Sequence, residues 1–325
     1  MTAYVLGIDG GQSSTRCVLG TLDGRLLASG TGPPLSHVAE PGGRDRVCEA
    51  VAVAAGRALD AVRPRPHRVA AAYLSLTAGI TEAGPALRAL VDVDRLHADT
   101  DAMGALASGT LGRPGIVVAA GTGVVALALG PDGQQVTAGG WGHRLGDEGG
   151  GYWLGLHGIR AAIRGADGRG PATSLTARIV ADLGLPHLRE LFNAAADGTL
   201  DVPRIAGLAR IVAAEAAAGD PAARELIAAA ATELASLAEV VASRAGFLPT
   251  PRTVVGTGGV LTPTGPVWTA FVAELGRRLP DAIAVRPSVP PVVGAYLLAL
   301  DMAGHPATAG VLATVRSTMT TRENL

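Results

Sequence analysis

The sequence predicts an α/β protein made of two domains that share one plan. Its 325 residues are too many for a single small core, and a hydrophobic content of 48% is enough to fill two. The order strand, glycine-rich turn, strand, Asp-Gly turn, strand occurs at the start of the chain and again near residue 116. We therefore predict a duplicated fold, with domains at 1–113 and 114–325.

The first half has the pattern of one α/β domain. Short apolar runs separated by Gly-rich turns indicate strands, and helical apolar spacing follows them. The predicted strands are Tyr4–Asp9, Thr15–Leu22, Arg25–Gly30, Val69–Leu76 and Arg95–Ala98. The predicted helices are Asp45–Ala61, Pro85–Val91 and Ala102–Leu111.

The second half repeats the three strands and then becomes mostly helical. Its predicted strands are Ile116–Ala120, Val124–Leu129, Gln135–Ala138, Arg252–Gly256 and Ala282–Val285. Its predicted helices are Gly149–Arg164, Pro171–Leu183, Val202–Ala218, Pro221–Ala245, Pro266–Arg278 and Val292–Met302. Pro221 behind Asp220 is typical of a first helical residue.

Composition excludes several classes of protein. A formal net charge of -1 provides no basic field for nucleic acid or for an anionic membrane surface. Cys17 and Cys48 do not have the spacing of a metal or disulfide framework. Neither a secretory leader nor an apolar run of membrane-spanning length is expected. We expect a cytoplasmic protein with a small-molecule substrate and no nucleic-acid or membrane partner, and leave a homodimer open.

The first glycine-rich turn, at Asp9-Gly10-Gly11, joins two strands. Rossmann and P-loop phosphate sites join a strand to a helix, so this turn belongs to neither type. A hairpin can still hold phosphate, because glycines let backbone N–H groups face a ligand and hydroxyls add donors. We predict that Gly11, Gln12, Ser13, Ser14 and Thr15 bind phosphate, and that Asp9 holds Mg²⁺ through water.

Two further glycine-rich turns lie in the second half. Gly121-Thr122-Gly123 occupies the turn that corresponds to the first one, and is predicted to hold phosphate. Gly256-Thr257-Gly258-Gly259 follows a strand and precedes a helix, where backbone can approach a base or ribose closely. We predict that Gly121, Thr122, Gly123, Gly256, Gly258 and Gly259 contact a nucleotide.

Two acidic pairs lie at predicted helix starts. Asp99 and Asp101 cannot both cap the same amides, so one is available for other work. A phosphoryl transferase needs a carboxylate that takes the proton of the acceptor hydroxyl, and we predict Asp101 for that role. Asp147 and Glu148, beside Trp141, have the chemistry of a sugar site, although a helix cap would explain them equally well.

Taken in order, these motifs resemble the N-acetylglucosamine kinase branch of the actin-like, sugar-kinase and Hsp70 superfamily, which also includes the BadF-type activator ATPases. The resemblance covers nearly the whole chain. Its carriers are Gly7–Gly11 with Ser14-Thr15, Thr100–Ala102, Gly121–Gly123, Gly140–Gly142 with Gly146–Gly149, Val255–Gly259 and Pro291–Ala295.

The resemblance implies two ribonuclease-H-like domains of the actin-like ATPase type, with an interdomain cleft. It implies ATP and Mg²⁺ as cofactors, Asp101 as catalytic base, and Thr77 and Asp147 near the sugar. The first domain would carry the sugar and the first phosphate loop, and the second domain the second phosphate loop and adenosine. The family's last helix can pack back on the first domain, so residues after about 305 can belong there.

Two departures from the family bear on the sugar. The loop 31–37 lacks the asparagine common in N-acetylglucosamine kinases, and Val124-Val125 follow the second turn where a polar residue is usual. These changes fit a free amine, so the sequence predicts phosphorylation of glucosamine at its 6-hydroxyl, with N-acetylglucosamine as the alternative. A BadF-type activator ATPase, a sugar-binding transcriptional regulator and an inactive actin-like scaffold are the other readings.

Overall fold

The computed structural model describes residues 3–11, 13–35, 38, 40–247 and 252–320. The chain divides into two compact units. The first is Met1–Arg113 together with Pro287–Leu325, and the second is Pro114–Arg286. Sequence analysis assigned 114–325 to the second domain and allowed residues after about 305 to belong to the first, whereas in the structure the second unit ends at residue 286.

The first unit is a five-stranded sheet with helices packed on it. Its strands are β1 (Tyr4–Gly10), β2 (Thr15–Thr21), β3 (Leu26–Gly32), β4 (Arg68–Leu76) and β5 (Asp92–Thr100). Its helices are α1 (Gly43–Asp60), α2 (Ile80–Arg88), α3 (Asp101–Thr110), α11 (Pro291–Met302) and α12 (Ala309–Thr320). The strand order is β3-β2-β1-β4-β5. Strands β1, β4 and β5 run parallel, and the first three strands form an antiparallel meander.

Glycines let helix α11 approach this unit closely. A Cβ on Gly7 of β1 would lie 2.3 Å from the backbone N of Tyr296, and one on Gly294 would lie 2.2 Å from the backbone O of Gly104 in α3. No other residue fits at such separations. These contacts are between residues about 190 or more positions apart, which is why the last two described helices belong to the first unit.

The second unit repeats the same strand order with more helices. Its strands are β6 (Gly115–Ala120), β7 (Val124–Leu129), β8 (Gln135–Gly139), β9 (Arg252–Thr257) and β10 (Ala282–Val285). Its helices are α4 (Gly151–Ala166), α5 (Leu175–Asp182), α6 (Leu191–Ala196), α7 (Val202–Gly207), α8 (Ala209–Ala218), α9 (Pro221–Arg244) and α10 (Pro266–Arg278), with a 3-10 turn at Leu188–Glu190. The order β8-β7-β6-β9-β10 matches that of the first sheet. The predicted α/β class is therefore confirmed.

Helix α9 lies in the core of the second unit. Its length and apolar composition would allow it to cross a membrane, but Ala230, Leu234 and Ala238 are fully buried in the cluster that includes Val118 of β6. Burial of one face against a sheet explains the apolar composition.

Some predicted boundaries differ from the structure. Helix α2 begins at Ile80, five residues before the predicted start, and Pro85 lies inside it because the buried Ala83 and Leu87 hold the helix in place. The predicted helix Val202–Ala218 is divided into α7 and α8 after Gly207, a weak helix former. Helices α6 and α12 have no counterpart in the prediction.

Candidate active site

Three parallel strands of the first unit bring the predicted site residues to one edge. Asp9 of β1 pairs with Ser75 of β4, and Ser75 pairs with Asp99 of β5. The carboxyl ends of parallel strands share an edge, so the segments that follow Gly10, Leu76 and Thr100 lie side by side. This register places the first glycine turn, Thr77 and Asp101 within one region of one unit.

Asp9 is a partly buried carboxyl with an unusual titration. Its pKa is raised to about 7, chiefly by burial and also by the nearby charge of Asp101, while Arg16 opposes part of the rise. None of the residues that the structure describes donates a hydrogen bond to this carboxyl. Asp9 and Asp101 are therefore close enough to interact electrostatically, and the Asp9 carboxyl is open to a ligand on the side of the described residues.

Asp101 is the first residue of α3, and a buried residue of β4 holds this end of the helix in place. Burial raises the pKa of Asp101, and the hydrogen bonds it accepts from its own N–H and that of Ala102 offset part of the rise. The Ser75 hydroxyl, fully buried, donates to the Thr100 carbonyl at 3.0 Å and accepts from Gly104 N–H at 2.9 Å. Ser75 therefore ties the first turn of α3 to β4.

Asp99 is engaged in other contacts. Its Oδ1 accepts from Thr100 N–H at 2.7 Å, and its Oδ2 accepts from the Tyr73 hydroxyl at 3.3 Å and lies 3.5 Å from His97 Nε2. Of the two aspartates, Asp101 is the one whose carboxyl, among the described residues, accepts hydrogen bonds only from backbone amides of its own helix start.

The first glycine turn contains one packed and one open glycine. A Cβ on Gly10 would lie 2.7 Å from both Leu35 and Leu76, whereas one on Gly11 would meet nothing within 4 Å. The turn is closed by Gly11 N–H donating to the Ser14 carbonyl at 3.0 Å. Gly11 is therefore the glycine of this turn whose surroundings leave room for a ligand.

A cavity of about 210 Å³ lies beside this turn. It is lined by Asp9, Gly11, Ser13, Ser14, Arg16, Pro290, Pro291 and Val292. Thr15, also predicted to bind phosphate, is fully buried, and its hydroxyl has no hydrogen-bond partner among the described residues. Gln12 lies outside the described residues.

Thr77 is exposed and fixed to the same turn. Its N–H and its hydroxyl both donate to the carbonyl of Gly10, at 2.9 and 3.4 Å. The contact joins the end of β4 to the first glycine turn, so Thr77 lies beside that turn.

In the second unit, the turn 121–123 supports the start of helix α4. The carbonyls of Gly121 and Thr122 accept hydrogen bonds from Gly151 and Tyr152 N–H at 2.7 and 3.0 Å. A Cβ on Gly121 would meet nothing within 4 Å, while one on Gly123 would lie 2.3 Å from Asp147 Oδ2. Gly121 is thus open to a ligand and Gly123 is packed against a carboxylate.

The loop that follows β9 shows the same division. A Cβ on Gly256 would lie 2.4 Å from the Trp268 ring, and Gly258 has φ +94° with the Ala120 carbonyl 2.3 Å from the Cβ position. Gly259 has nothing within 4 Å. The loop is fixed to β6 by Val260 N–H, which donates to the Ala120 carbonyl at 3.0 Å.

Gly121 and Gly259 share a large cavity of about 660 Å³ within the second unit. Its other wall comes from helices α7 and α8. The small residues of that wall include Ala206, Ala213, Ala214 and Ala217, together with Arg210. Sequence analysis missed this wall, because an alanine-rich helix carries no chemical signal of its own.

Asp147 has a strained backbone. It has φ +61°, which is uncommon for a residue with a side chain, and it is buried, with its carbonyl accepting from Gly150 N–H at 3.0 Å. Asp147, Glu148 and Glu233 line a small cavity of about 30 Å³. Trp141, in the same loop, is 75% exposed. Held strain of this kind is typical of functional residues.

The chain is similar to known proteins over nearly its whole length. A model of the BadF/BadG/BcrA/BcrD ATPase family matches residues 6–299. An N-acetylmuramic acid/N-acetylglucosamine kinase of Clostridium acetobutylicum is 29% identical over 301 residues, which are 91% of this chain and 98% of that protein.

Solved structures show the same fold. A candidate N-acetylglucosamine kinase from Chromobacterium violaceum has a TM-score of 0.69 and 27% identity, covering 91% of this chain and 99% of its own. A ROK family glucokinase from Streptomyces griseus has a TM-score of 0.55 and 20% identity, covering 92% of this chain and 100% of its own. The predicted actin-like fold of the two units is confirmed.

Proposed function

This chain belongs to the BadF/BadG/BcrA/BcrD ATPase family, and we propose that within it the protein is an ATP-dependent kinase of an amino sugar. The resemblance drawn from the motifs is confirmed at the level of the family. One observation carries the proposal furthest. A carboxyl at a helix start, Asp101, lies within electrostatic reach of Asp9, and Asp9 lines the cavity of the phosphate turn.

The proposed chemistry follows from the charges of that region. Asp101 orients the sugar's 6-hydroxyl and accepts its proton as the new P–O bond forms. A raised pKa makes Asp101 a stronger base than an exposed aspartate, provided that it is ionised when the sugar binds. Thr77, Asp147 and Glu148 are proposed sugar contacts. Phosphate oxygens are proposed to bind at the two glycine turns, where the space beside Gly11 and Gly121 is open. The N–H groups of both glycines already donate to carbonyls of their own turns, so the hydroxyls of Ser13 and Ser14 are the proposed donors of the first turn.

The residues present fit Mg²⁺ at Asp9. Its carboxyl has no hydrogen-bond donor among the described residues and borders a cavity with two serine hydroxyls, which are oxygen groups of the kind Mg²⁺ prefers. When bound with the nucleotide, Mg²⁺ would offset charge on the phosphate oxygens. Asp9 would hold it through water, and its raised pKa would fall as the cation arrived.

Adenosine is proposed to occupy the 660 Å³ cavity of the second unit. The volume lies in the range of nucleotide-sized pockets, and small side chains on α8 leave a smooth apolar wall for a base. Packed glycines at 256 and 258 hold the loop, and the open Gly259 faces the cavity.

The acceptor is proposed to be an N-acetylated hexosamine. Sequence analysis favoured glucosamine, but the relative that spans nearly the whole chain acts on N-acetylmuramic acid and N-acetylglucosamine. The alternative from sequence is therefore the better supported one. A cytoplasmic location is part of the same proposal.

The cysteines argue against an activator ATPase that shares an iron–sulfur cluster between subunits. Cys17 is fully buried in β2, where burial raises the pKa of its thiol, and the Cys48 thiol lies 3.8 Å from the Glu82 carbonyl. A cluster ligand has to be an accessible thiolate. The buried Cys17 does not meet that requirement, which leaves the partly buried Cys48 as a single candidate ligand in each chain.

The test is a coupled assay of ADP release from purified protein with MgATP. The acceptors are N-acetylglucosamine, N-acetylmuramic acid, glucosamine, glucose and mannosamine, and the phosphorylated position is read by NMR. We expect the highest kcat/KM with an N-acetylated sugar and phosphate at O6. A higher kcat/KM with glucosamine would overturn the choice of sugar, and ADP release that no sugar accelerates would overturn the kinase assignment.

A further inference from the structure

The cavity beside the first glycine turn contains a basic side chain that neither the family motif nor the proposed mechanism uses. The chain has no lysine, so any side-chain cation that binds nucleotide phosphates has to be an arginine. Among the residues that line this cavity, Arg16 is the basic one. Its neighbours there include Asp9, Gly11, Ser13 and Ser14.

The strand geometry directs Arg16 to the cavity. It is the second residue of β2 and pairs directly with Asp9 across the antiparallel ladder, so the two side chains share one face of the sheet. Its neighbours Thr15 and Cys17 point to the opposite face and are fully buried, while Arg16 itself is exposed. The backbone from which the Arg16 side chain extends is held in place by the five-stranded sheet.

The Arg16 guanidinium is not engaged in another contact among the described residues. No described residue forms a hydrogen bond or an ion pair with its guanidinium, and Asp9, whose pKa it lowers, lies beyond the 4.0 Å limit of an ion pair. A simple counter-ion of Asp9 would be expected to pair with it directly. The guanidinium is therefore available for a ligand that enters the cavity.

We propose that Arg16 binds the phosphate oxygens of the nucleotide in this cavity, beside Asp9. The inference rests on the proposed kinase function and identifies the side-chain cation of its phosphate site. A guanidinium stays charged at all working pH values and donates in a planar fork that matches two phosphate oxygens. During transfer the bond between the γ-phosphorus and the bridging oxygen breaks, and the charge left on ADP lies where this cation can offset it.

The test measures ADP and ATP binding by calorimetry, with Arg16→Gln, Arg16→Lys and the control Arg68→Gln. Arg68 is an exposed arginine paired with Asp94 at the other end of the same sheet. We expect Arg16→Gln to weaken ADP binding roughly 10–100-fold, as the loss of a charge-assisted contact should. Arg16→Lys should recover part of the lost ADP affinity. Arg68→Gln should bind ADP as tightly as the wild type, and the KM of the Arg16 variants for the sugar should stay near the wild-type value.

Three outcomes overturn the inference. One is unchanged ADP binding by Arg16→Gln with a wild-type melting temperature. Another is that Arg16→Gln no longer weakens ADP binding when Asp9 is already replaced by Asn and binding is measured in EDTA. In that case Arg16 would act only through Asp9. The third is equal weakening by Arg68→Gln.

Failure of the proposed function gives a different result. In that case the wild-type protein binds ATP but phosphorylates none of the hexosamines, while the ADP affinities of the Arg16 variants still decide the role of Arg16. A protein that binds no nucleotide at all overturns both. Circular dichroism and thermal melts identify any variant that has not folded, and Arg16→Lys then serves as the deciding variant.

Discussion

The charge of Asp101 raises the pKa of Asp9 within the first unit, although 92 positions separate the two residues in the chain. Asp101 begins α3, and Asp9 is the last residue but one of β1, next to the first glycine turn. Two carboxyls that oppose each other in this way are costly unless a cation or a proton is shared between them. The relationship suits a site that takes up a metal-bound polyphosphate and a hydroxyl proton.

Replacing Asp101 with Asn should remove the proposed base while keeping the side chain's size. We expect kcat for the sugar to fall by about 10²–10⁴-fold, because a positioned base contributes that much. Steady-state kinetics measure the change. Asp99→Asn is the control, since Asp99 is bonded to Tyr73 and Thr100 and is expected to affect stability more than rate. Equal losses in both variants would contradict the role of Asp101.

Replacing Ser75 with Ala should loosen the first turn of α3. The Thr100 carbonyl and Gly104 N–H would lose a buried partner, at a cost of about 1–3 kcal/mol of unfolding free energy. Because Asp101 is in that turn, kcat should also fall, roughly 10–100-fold. Ser108→Ala, which removes another buried hydroxyl of α3, should lower stability without the loss of kcat. A Ser75→Ala variant with wild-type kcat would refute the positioning role.

Replacing Asp9 with Asn should stabilise the protein in metal-free buffer above neutral pH. The folded-state pKa of about 7 exceeds the unfolded value, so the native state binds the extra proton and loses stability as pH rises from about 4 to 7. We expect the unfolding free energy of Asp9→Asn to exceed that of the wild type by about 2–4 kcal/mol at pH 8 and by little at pH 4.

Thermal melts in EDTA at pH 5, 6.5 and 8 would show this trend for Asp9. The difference in Tm should grow with pH, because wild type then carries a buried charge that the variant lacks. A Tm for Asp9→Asn that is lower than wild type at pH 8 would show that the ionised carboxyl is stabilised in the folded protein.

The glycines of the second unit should separate into folding and binding positions. Gly258→Ala should lower the unfolding free energy by at least about 2 kcal/mol, because φ +94° and the nearby Ala120 carbonyl leave no room for a Cβ. Gly259→Ala should change stability by no more than about 0.5 kcal/mol, since its Cβ position is empty, yet weaken ATP binding. Urea melts and calorimetry measure the two quantities. Unaltered ATP affinity in a folded Gly259→Ala protein would exclude Gly259 from the nucleotide site.

Asp220 should stabilise the second unit in a pH-dependent way. It caps α9 by accepting from Ala223 N–H, and also accepts from Ser174 N–H and the hydroxyls of Thr173 and Ser174. Burial by itself would raise its pKa, but these hydrogen bonds outweigh burial and lower the pKa below its usual value. A lowered folded-state pKa means stability that is present above about pH 4 and lost as the pH falls.

Asp220→Ala should therefore lower the unfolding free energy by about 1–3 kcal/mol at pH 7 and by less at pH 3. Asp201→Ala is the matched control, because Asp201 caps α7 through one hydrogen bond to Arg204 N–H. Chemical denaturation at both pH values measures the difference. A cost for Asp220→Ala that does not exceed that of Asp201→Ala would contradict the account.

The order of elements was predictable because it depends on local chemistry. Alternating apolar residues and the turn signals Asp23-Gly24 and Asp132-Gly133 predicted both meanders, and glycine turns between strands distinguished the fold from a Rossmann domain. The start of α2 was not predictable, because proline near a helix start is the usual rule and only the burial of Ala83 and Leu87 moves that start upstream.

The sequence by itself determined the duplicated strand order, the two glycine turns and an acid at the start of α3, since each depends on residues that are neighbours in the chain. Only the tertiary structure decided which glycines are packed and which are open, that Ser75 holds the turn of Asp101, and that Arg16 shares a cavity with Asp9. The physical reason is that a glycine's role depends on the atoms that face its missing side chain. Those atoms come from elements as distant in sequence as Gly7 and Tyr296, and no local pattern encodes them.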